Sequence, residues 1–168
     1  MKALLGVILV AFFLISRPAL AAQDYTITLV NDANPLQPIN MIRVSEQCMH
    51  NPGGEIISIT PPPAGASGTS INIQDSNALF DGCFLIEKNI NWRVYHSTNT
   101  DVNQPGGCDM KWSVTKVYPS GWVWGITSNC PIEMASCYSY AYGNRHCLNK
   151  QVSLDANDGT RAVKVVFK

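Results

Sequence analysis

The sequence predicts an all-β fold, an antiparallel β-sandwich of about ten short strands with disulfide-reinforced loops. Three observations predict it: short alternating runs rich in β-branched and aromatic residues, turn residues between those runs, and an even number of cysteines. After residue 21, no long stretch places apolar side chains at helical spacing without Gly or Pro. Strands joined by short turns cannot make the long crossovers that parallel sheets require, which favours antiparallel pairing.

Each predicted strand is short, mostly alternating and bounded by Gly, Pro, Asn or Asp. In chain order, the strands span residues 25–30, 38–44, 55–60, 69–74, 83–88, 91–96, 110–117, 121–127, 151–155 and 161–168. The intervening turn segments are 31–35, 51–54, 61–65, 105–107, 119–121 and 157–159. The triple proline at 61–63 excludes both a helix and a central strand there. We therefore expect a stiff surface loop after the third strand.

Two hairpins are predicted from the shortest connections. The Tyr-Pro-Ser-Gly turn at 118–121 joins the seventh strand to the eighth. Asn89 and Ile90 are predicted to turn the chain between the fifth strand and the sixth.

The last predicted strand places Val163, Val165 and Phe167 on one face, directed toward the core. Its basic residues suit an exposed edge of a sheet, because charged side chains discourage pairing with another chain. We therefore expect the C-terminal strand to lie at an edge.

The first 21 residues have the pattern of a cleaved secretory signal peptide. Lys2 precedes an apolar run, and Ala19-Leu20-Ala21 supplies a small-x-small cleavage site. The apolar run is too short to span a bilayer as a helix, which needs roughly 20 residues. The pattern predicts a secreted or periplasmic protein in which residues 22–168 form one domain without a transmembrane segment.

The charge of the mature chain argues against a nucleic-acid partner. Cleavage after residue 21 would remove Lys2 and Arg17 from the 12 basic residues and none of the 12 acidic residues, for a net charge of about −2. Proteins that bind nucleic acids use clustered Lys and Arg to displace counterions from phosphates. The sequence contains no such basic stripe, so a nucleic-acid function is not expected.

The cysteines predict three disulfide bonds, because an even number in an exported chain is typical of paired thiols. The six residues are Cys48, Cys83, Cys108, Cys130, Cys137 and Cys147. Among the 15 possible pairings, the local pair Cys137–Cys147 is preferred for one bond, since it closes a short loop. No pair has the CxxC spacing of redox motifs or zinc sites, and we expect no resident metal or cofactor.

Three tyrosines at every second residue form the most distinctive candidate binding segment. In an extended backbone, Tyr138, Tyr140 and Tyr142 share one face, and Arg145 follows closely. Exposed aromatic rings stack on sugar rings or lie among lipid headgroups, and an arginine pairs with phosphate or carboxylate. The alternative is that the tyrosines pack in the core.

Trp122 and Trp124, also two residues apart, form a second candidate aromatic patch beside a Pro-Ser-Gly turn. Alternating aromatic residues are ordinary in the core of a sandwich, and this interpretation is favoured for the two tryptophans.

The main functional hypothesis is an exported, non-catalytic protein that binds a cell-surface glycan, a lipid headgroup or a surface protein. The alternative is a small secreted hydrolase with ribonuclease-like chemistry, in which His96 or His146 acts as acid or base and Arg145 stabilises charge. Glu87 and Arg93 are further residues of suitable type. No nucleophile–base motif or catalytic metal motif supports the alternative.

Overall fold

The computed structural model describes residues 22–33, 37–61, 68–77, 82–96, 105–117, 121–137, 152–153 and 161–168. In this part of the chain, every regular element is a β-strand. The strands are β1 (Asp24–Asn31), β2 (Ile39–Gln47), β3 (Met49–Asn51), β4 (Ile56–Ile59), β5 (Thr69–Asp75), β6 (Lys88–Tyr95), β7 (Cys108–Val117), β8 (Gly121–Ser128), β9 (Ile132–Cys137), β10 (Val152–Ser153) and β11 (Ala162–Phe167). Nothing within these residues qualifies as a bilayer-spanning helix.

The strands form two sheets that pack face to face. The five-stranded sheet has the order β3-β5-β1-β11-β9, and the six-stranded sheet has the order β10-β8-β7-β6-β2-β4. The predicted all-β sandwich is confirmed, and its pairing is antiparallel except between β1 and β11, which run parallel. These two strands lie near opposite ends of the chain, so the whole fold provides the connection that a parallel pair needs.

Alternating apolar residues build the core between the sheets. Tyr25, Ile27 and Leu29 of β1 are buried, and the residues between them are partly exposed. The ring of Tyr25 meets that of Trp112 in the opposite sheet edge to face, with 4.8 Å between centroids. This contact is favourable beyond the area that it buries, and it fixes how the two sheets face each other.

One predicted hairpin is confirmed and the other is wrong. Strands β7 and β8 pair antiparallel on either side of the predicted turn, with Val117 opposite Gly121. Asn89 and Ile90 do not turn the chain, because both lie inside the continuous strand β6. Asn89 hydrogen bonds to neighbouring side chains, and Ile90 is fully buried. Pairing with strands on both sides therefore overrides the turn preference of asparagine.

The inward face of the last strand is confirmed, but its predicted edge position is wrong. Val163, Val165 and Phe167 are buried. Strand β11 pairs with β1 on one side and β9 on the other. Lys164 is only partly exposed on the outward face, and Lys168 forms ion pairs with residues of neighbouring segments. The basic residues mark the solvent face of an interior strand, not a free edge.

In the described part of the chain, two disulfide bonds connect strands or their flanking turns. Cys48 pairs with Cys83, and Cys108 pairs with Cys130, with Cα–Cα distances of 5.3 and 5.0 Å. The preferred pair Cys137–Cys147 lies outside the side chains that the structure describes. The first bond attaches the β2–β3 junction to the turn before β6, and the second attaches the start of β7 to the segment after β8.

Candidate binding site

The outer face of the six-stranded sheet carries a row of polar side chains across four strands. Cross-strand register aligns Ser45 of β2, Asn91 of β6, Lys111 of β7 and Thr127 of β8. Their inward neighbours, such as Trp92, belong to the core, so the pleat directs this row toward solvent. The row therefore places an alcohol, an amide, an ammonium group and a second alcohol side by side.

Side-chain hydrogen bonds hold the amides of this face in place. Asn91 Nδ2 donates to Ser45 Oγ at 2.9 Å and to Asn89 Oδ1 at 3.1 Å. Asn89 Nδ2 in turn donates to Gln47 Oε1 at 3.2 Å. Among the described residues, nothing donates to Asn91 Oδ1, so this oxygen is available to a ligand. These side-chain hydrogen bonds orient the Asn91 amide before a ligand arrives.

A cleft of about 380 Å³ lies along the row. Its lining includes Val44, Asn91, Asp109, Lys111 and Thr127. The register of β2 against β6 shifts between Arg43 and Ser45, and Val44 within this bulge is 59% exposed. A bulge redirects a side chain that regular pairing would place elsewhere. It gives the cleft an apolar wall beside the polar row.

Charged and polar groups fix one end of the cleft. Arg93 Nη1 contacts both carboxylate oxygens of Asp109 at 2.8 and 2.9 Å, and its Nη2 donates to the Gly106 carbonyl at 3.2 Å. Hydrogen bonding to Asp109 and its charge raise the pKa of Arg93. The backbone N–H of Asp109 donates to Asn129 Oδ1 at 2.6 Å. The ion pair is solvent-exposed, so it contributes to position more than to stability.

Another ion pair restrains the lysine of the row. Lys111 Nζ lies 2.5 Å from Glu87 Oε1, and both side chains are little more than a third exposed. Thr127 is exposed, and its hydroxyl makes no hydrogen bond to any described residue. The cleft thus presents both signs of charge, a free amide oxygen and a free hydroxyl. Such a set matches a ligand that both donates and accepts hydrogen bonds.

The two tryptophans of the candidate aromatic patch, Trp122 and Trp124, lie on the inner face of β8. Trp124 is 3% exposed, and its ring centroid lies 6.4 Å from that of Tyr25. Trp122 is partly buried against the core, with Lys88 Nζ 4.1 Å from the centre of its ring. Trp124 therefore lies in the core, and Trp122 packs against the core with part of its surface exposed.

The tyrosine segment lies outside the described residues. Tyr138, Tyr140, Tyr142 and Arg145 are all in that part of the chain, so their role in binding stays a prediction.

The structure does not bring together the described residues of the hydrolase hypothesis. Glu87 precedes β6 and His96 follows it, so the extended strand separates their backbones by about 30 Å. Arg93 is paired with Asp109. His146 lies outside the described residues. Within the described ranges, no three His, Cys, Asp or Glu side chains form a metal-binding group.

A buried charged cluster lies between the sheets beside the Cys48–Cys83 bond. Lys88 is fully buried, and its Nζ donates to the carbonyls of Cys83 at 3.1 Å and Ile86 at 2.9 Å. Asp75 is 2% exposed and accepts a hydrogen bond from the Gln23 backbone at 2.7 Å. Desolvation raises the pKa of Asp75 and lowers that of Lys88, and each charge opposes the shift of the other.

Tyr25 and Arg161 border the same cluster. Burial, and next the charge of Asp75, raise the pKa of Tyr25 far above its ordinary value. The Arg161 guanidinium carbon lies 5.9 Å from the centre of the Tyr25 ring. The cluster is enclosed by core residues, and we assign it a structural role.

Sequence reasoning missed the cleft because its residues come from strands that are distant in the chain. Asn91, Lys111 and Thr127 each look like ordinary outward residues of a strand. The available signal was the pair Asn89 and Asn91, two amides at period two that alternate with the apolar Ile90 and Trp92. That spacing places both amides on one face.

No protein-family model, curated protein or solved structure matches the chain.

Proposed function

We propose that the chain is an exported, non-catalytic binding protein that holds a carbohydrate in the cleft on the outer face of its six-stranded sheet. The observation that carries this proposal is the aligned row of hydrogen-bonding side chains beside the exposed Val44. Residues 1–21 would direct export, and disulfide bonds are compatible with a secreted or periplasmic location.

The chemistry of the cleft supports a sugar ligand. Sugar hydroxyls both donate and accept hydrogen bonds. Asn91 Oδ1 and the Thr127 hydroxyl make no hydrogen bond to the described residues, so both can bond to such a hydroxyl. Lys111 supplies a donor and Asp109 an acceptor at other points of the lining. The exposed side of Val44 suits the C–H face of a pyranose ring. Because the cleft contains both charges, a neutral or weakly charged sugar fits it better than a polyanion.

The rigidity of the cleft also supports binding. Hydrogen bonds fix Asn91, and the ion pair with Glu87 restrains Lys111. The Cys108–Cys130 bond joins the start of β7, next to Asp109, to the segment after β8 that contains Asn129. A site whose groups are ordered before binding loses less conformational entropy when the ligand arrives.

A glycan array followed by calorimetry tests this proposal. We expect the combined changes Asn91→Ala and Thr127→Ala to weaken binding of an array-selected glycan about 10- to 100-fold, because each lost hydrogen bond contributes about 1 kcal/mol. The matched control combines Thr28→Ala with Asn72→Ala, which removes the same two residue types from the outer face of the five-stranded sheet. Equal weakening by both double variants, or an array without any bound glycan, would reject the proposal.

A separate prediction concerns the tyrosine segment. We expect Tyr140→Ala combined with Tyr142→Ala to weaken binding to a cell-surface preparation about tenfold without lowering the unfolding midpoint, because stacking rings contribute area to a ligand. Binding is measured by co-sedimentation with cells and stability by urea unfolding. Unchanged sedimentation would remove the tyrosines from the binding surface and leave the cleft to be judged by its own test.

A further inference from the structure

Three consecutive large apolar side chains are exposed in the turn before β6. Phe84, Leu85 and Ile86 are 43%, 47% and 41% exposed, and we call these three residues the apolar tip. In the described part of the chain, the other exposed large apolar residues are Val44 and Ile56, which are not contiguous with the tip in sequence. Contiguous exposed apolar residues mark interaction sites more often than scattered ones do.

A disulfide bond and two hydrogen bonds hold the apolar tip in place. The disulfide bond fixes Cys83 to Cys48 immediately before the tip. Lys88 Nζ hydrogen bonds to the carbonyls of Cys83 and Ile86, one before the tip and one at its last residue. The turn is therefore anchored by a covalent bond and two charge-assisted hydrogen bonds. Such a tip does not need to be ordered when it meets a partner.

Folding stability does not account for leucine at the centre of the tip. Leu85 has a φ of 63°, in the left-handed region that disfavours residues with large side chains and suits Gly or Asn. Its side chain is also exposed to water. Both the backbone and the solvent favour a polar residue here. Strain of this kind at an exposed position points to a function outside folding.

A surface lysine lies at the same end of the sandwich as the apolar tip. The buried Lys88, two residues after the tip, pairs with Val114, and Lys116 lies two residues further along β7. Lys116 is exposed and forms no ion pair among the described residues. The nearest carboxylate in sequence, Glu87, is paired with Lys111. The surface around the tip therefore has an unpaired positive charge and no unpaired carboxylate on the described residues 82–88.

We propose that the apolar tip inserts into the headgroup boundary of a lipid bilayer that contains anionic lipids, with Lys116 facing the lipid phosphates. Side chains at successive positions of a tight turn point in different directions, so each needs apolar surroundings on a different side. A fluid bilayer surrounds a convex tip in this way, whereas protein interfaces typically bury about 800 Å² on each partner. Three side chains and one cation give peripheral, reversible binding.

This inference is independent of the carbohydrate proposal, because no residue of the tip lines the cleft. The test uses protein recovered from the exported fraction, so that residues 1–21 do not contribute. Binding is measured by co-sedimentation with phosphatidylcholine vesicles, with and without phosphatidylglycerol. We expect the wild-type protein to bind the anionic vesicles, and we expect salt to weaken that binding.

The variants separate the apolar contribution from the charge. We expect Leu85→Asn and Phe84→Ser each to weaken vesicle binding about tenfold or more, and Lys116→Gln to weaken it about fivefold. Leu85→Asn suits the positive φ, so this variant is expected to fold at least as stably as the wild-type protein. Ile56→Ser is the matched control, because Ile56 is also 47% exposed but lies on β4. The control variant is expected to bind like the wild-type protein.

Two results would overturn the proposal. One is a wild-type protein that binds neither vesicle composition, or binds anionic vesicles no more tightly than Leu85→Asn does. The other is a wild-type protein that sediments as a dimer without vesicle affinity and becomes monomeric on Leu85→Asn. That second result would make the apolar tip a contact between two copies of the chain.

Discussion

Replacing Cys48 and Cys83 together by alanine is expected to lower the free energy of unfolding by about 4 kcal/mol. The bond joins residues 35 apart in sequence, and a cross-link over such a loop removes much of the freedom of the unfolded chain. The loss is a large share of the roughly 5–15 kcal/mol by which folded proteins exceed their unfolded states. Urea unfolding followed by tryptophan fluorescence measures it.

The second disulfide provides the comparison for this prediction. Cys108 and Cys130 are 22 residues apart, so their replacement by alanine is expected to cost slightly less, about 3.5 kcal/mol. Losing the first bond also frees one anchor of the apolar tip, so only that variant is expected to bind anionic vesicles less tightly. A loss below about 1 kcal/mol for Cys48→Ala with Cys83→Ala would show that the bond does not restrain the unfolded chain as this argument requires.

Lys88→Met is expected to lower the free energy of unfolding by about 3–5 kcal/mol. Removal of one member of a buried charged cluster leaves the nearly inaccessible Asp75 with only the Gln23 backbone N–H and Arg161 to offset its charge. The change also deprives the carbonyls of Cys83 and Ile86 of their donor. Methionine has a length similar to that of lysine, so the loss of free energy of unfolding reflects the missing ammonium group more than a cavity.

A double variant checks the origin of this loss. Asp75→Asn combined with Lys88→Met is expected to be less destabilising than the sum of the single changes, because neither charge then lies buried alone. Additive losses would mean that the two residues act independently, contrary to their opposing effects on each other's pKa.

The pH dependence of Lys88→Met has a definite sign. Burial raises the pKa of Asp75 above 3.8, and Lys88 partly opposes the rise, so Lys88→Met raises this pKa further. A group whose pKa is raised by folding contributes stability that is present below its unfolded pKa and is lost as the pH rises through its folded value. The difference in free energy of unfolding between the wild-type protein and Lys88→Met is therefore expected to shrink as the pH falls from 7 toward 4.

Local patterns were sufficient to predict much of the fold. Alternation in the last strand identifies Val163, Val165 and Phe167 as core residues, since a pleated strand has a period of two whatever its neighbours are. The turn at 118–121 joins two strands that pair directly. Both features depend on residues close together in the chain.

Non-local pairing explains what the sequence alone did not reveal. The parallel pair of β1 and β11 joins residues near opposite ends of the chain, and no local pattern indicates it. Asn89 has the preferences of a turn residue, but neighbouring strands on both sides of β6 hold it extended. The candidate cleft depends on the same register, because three separate strands contribute Asn91, Lys111 and Thr127.

A backbone-amide NMR titration with an array-selected glycan locates the ligand on the protein surface. If the glycan binds in the cleft on the six-stranded sheet, we expect saturable shifts at Asn91, Lys111 and Thr127, with none at Thr28 or Asn72 on the opposite outer face. Saturable shifts that leave the three cleft residues unmoved and map to another surface would rule out binding in the cleft.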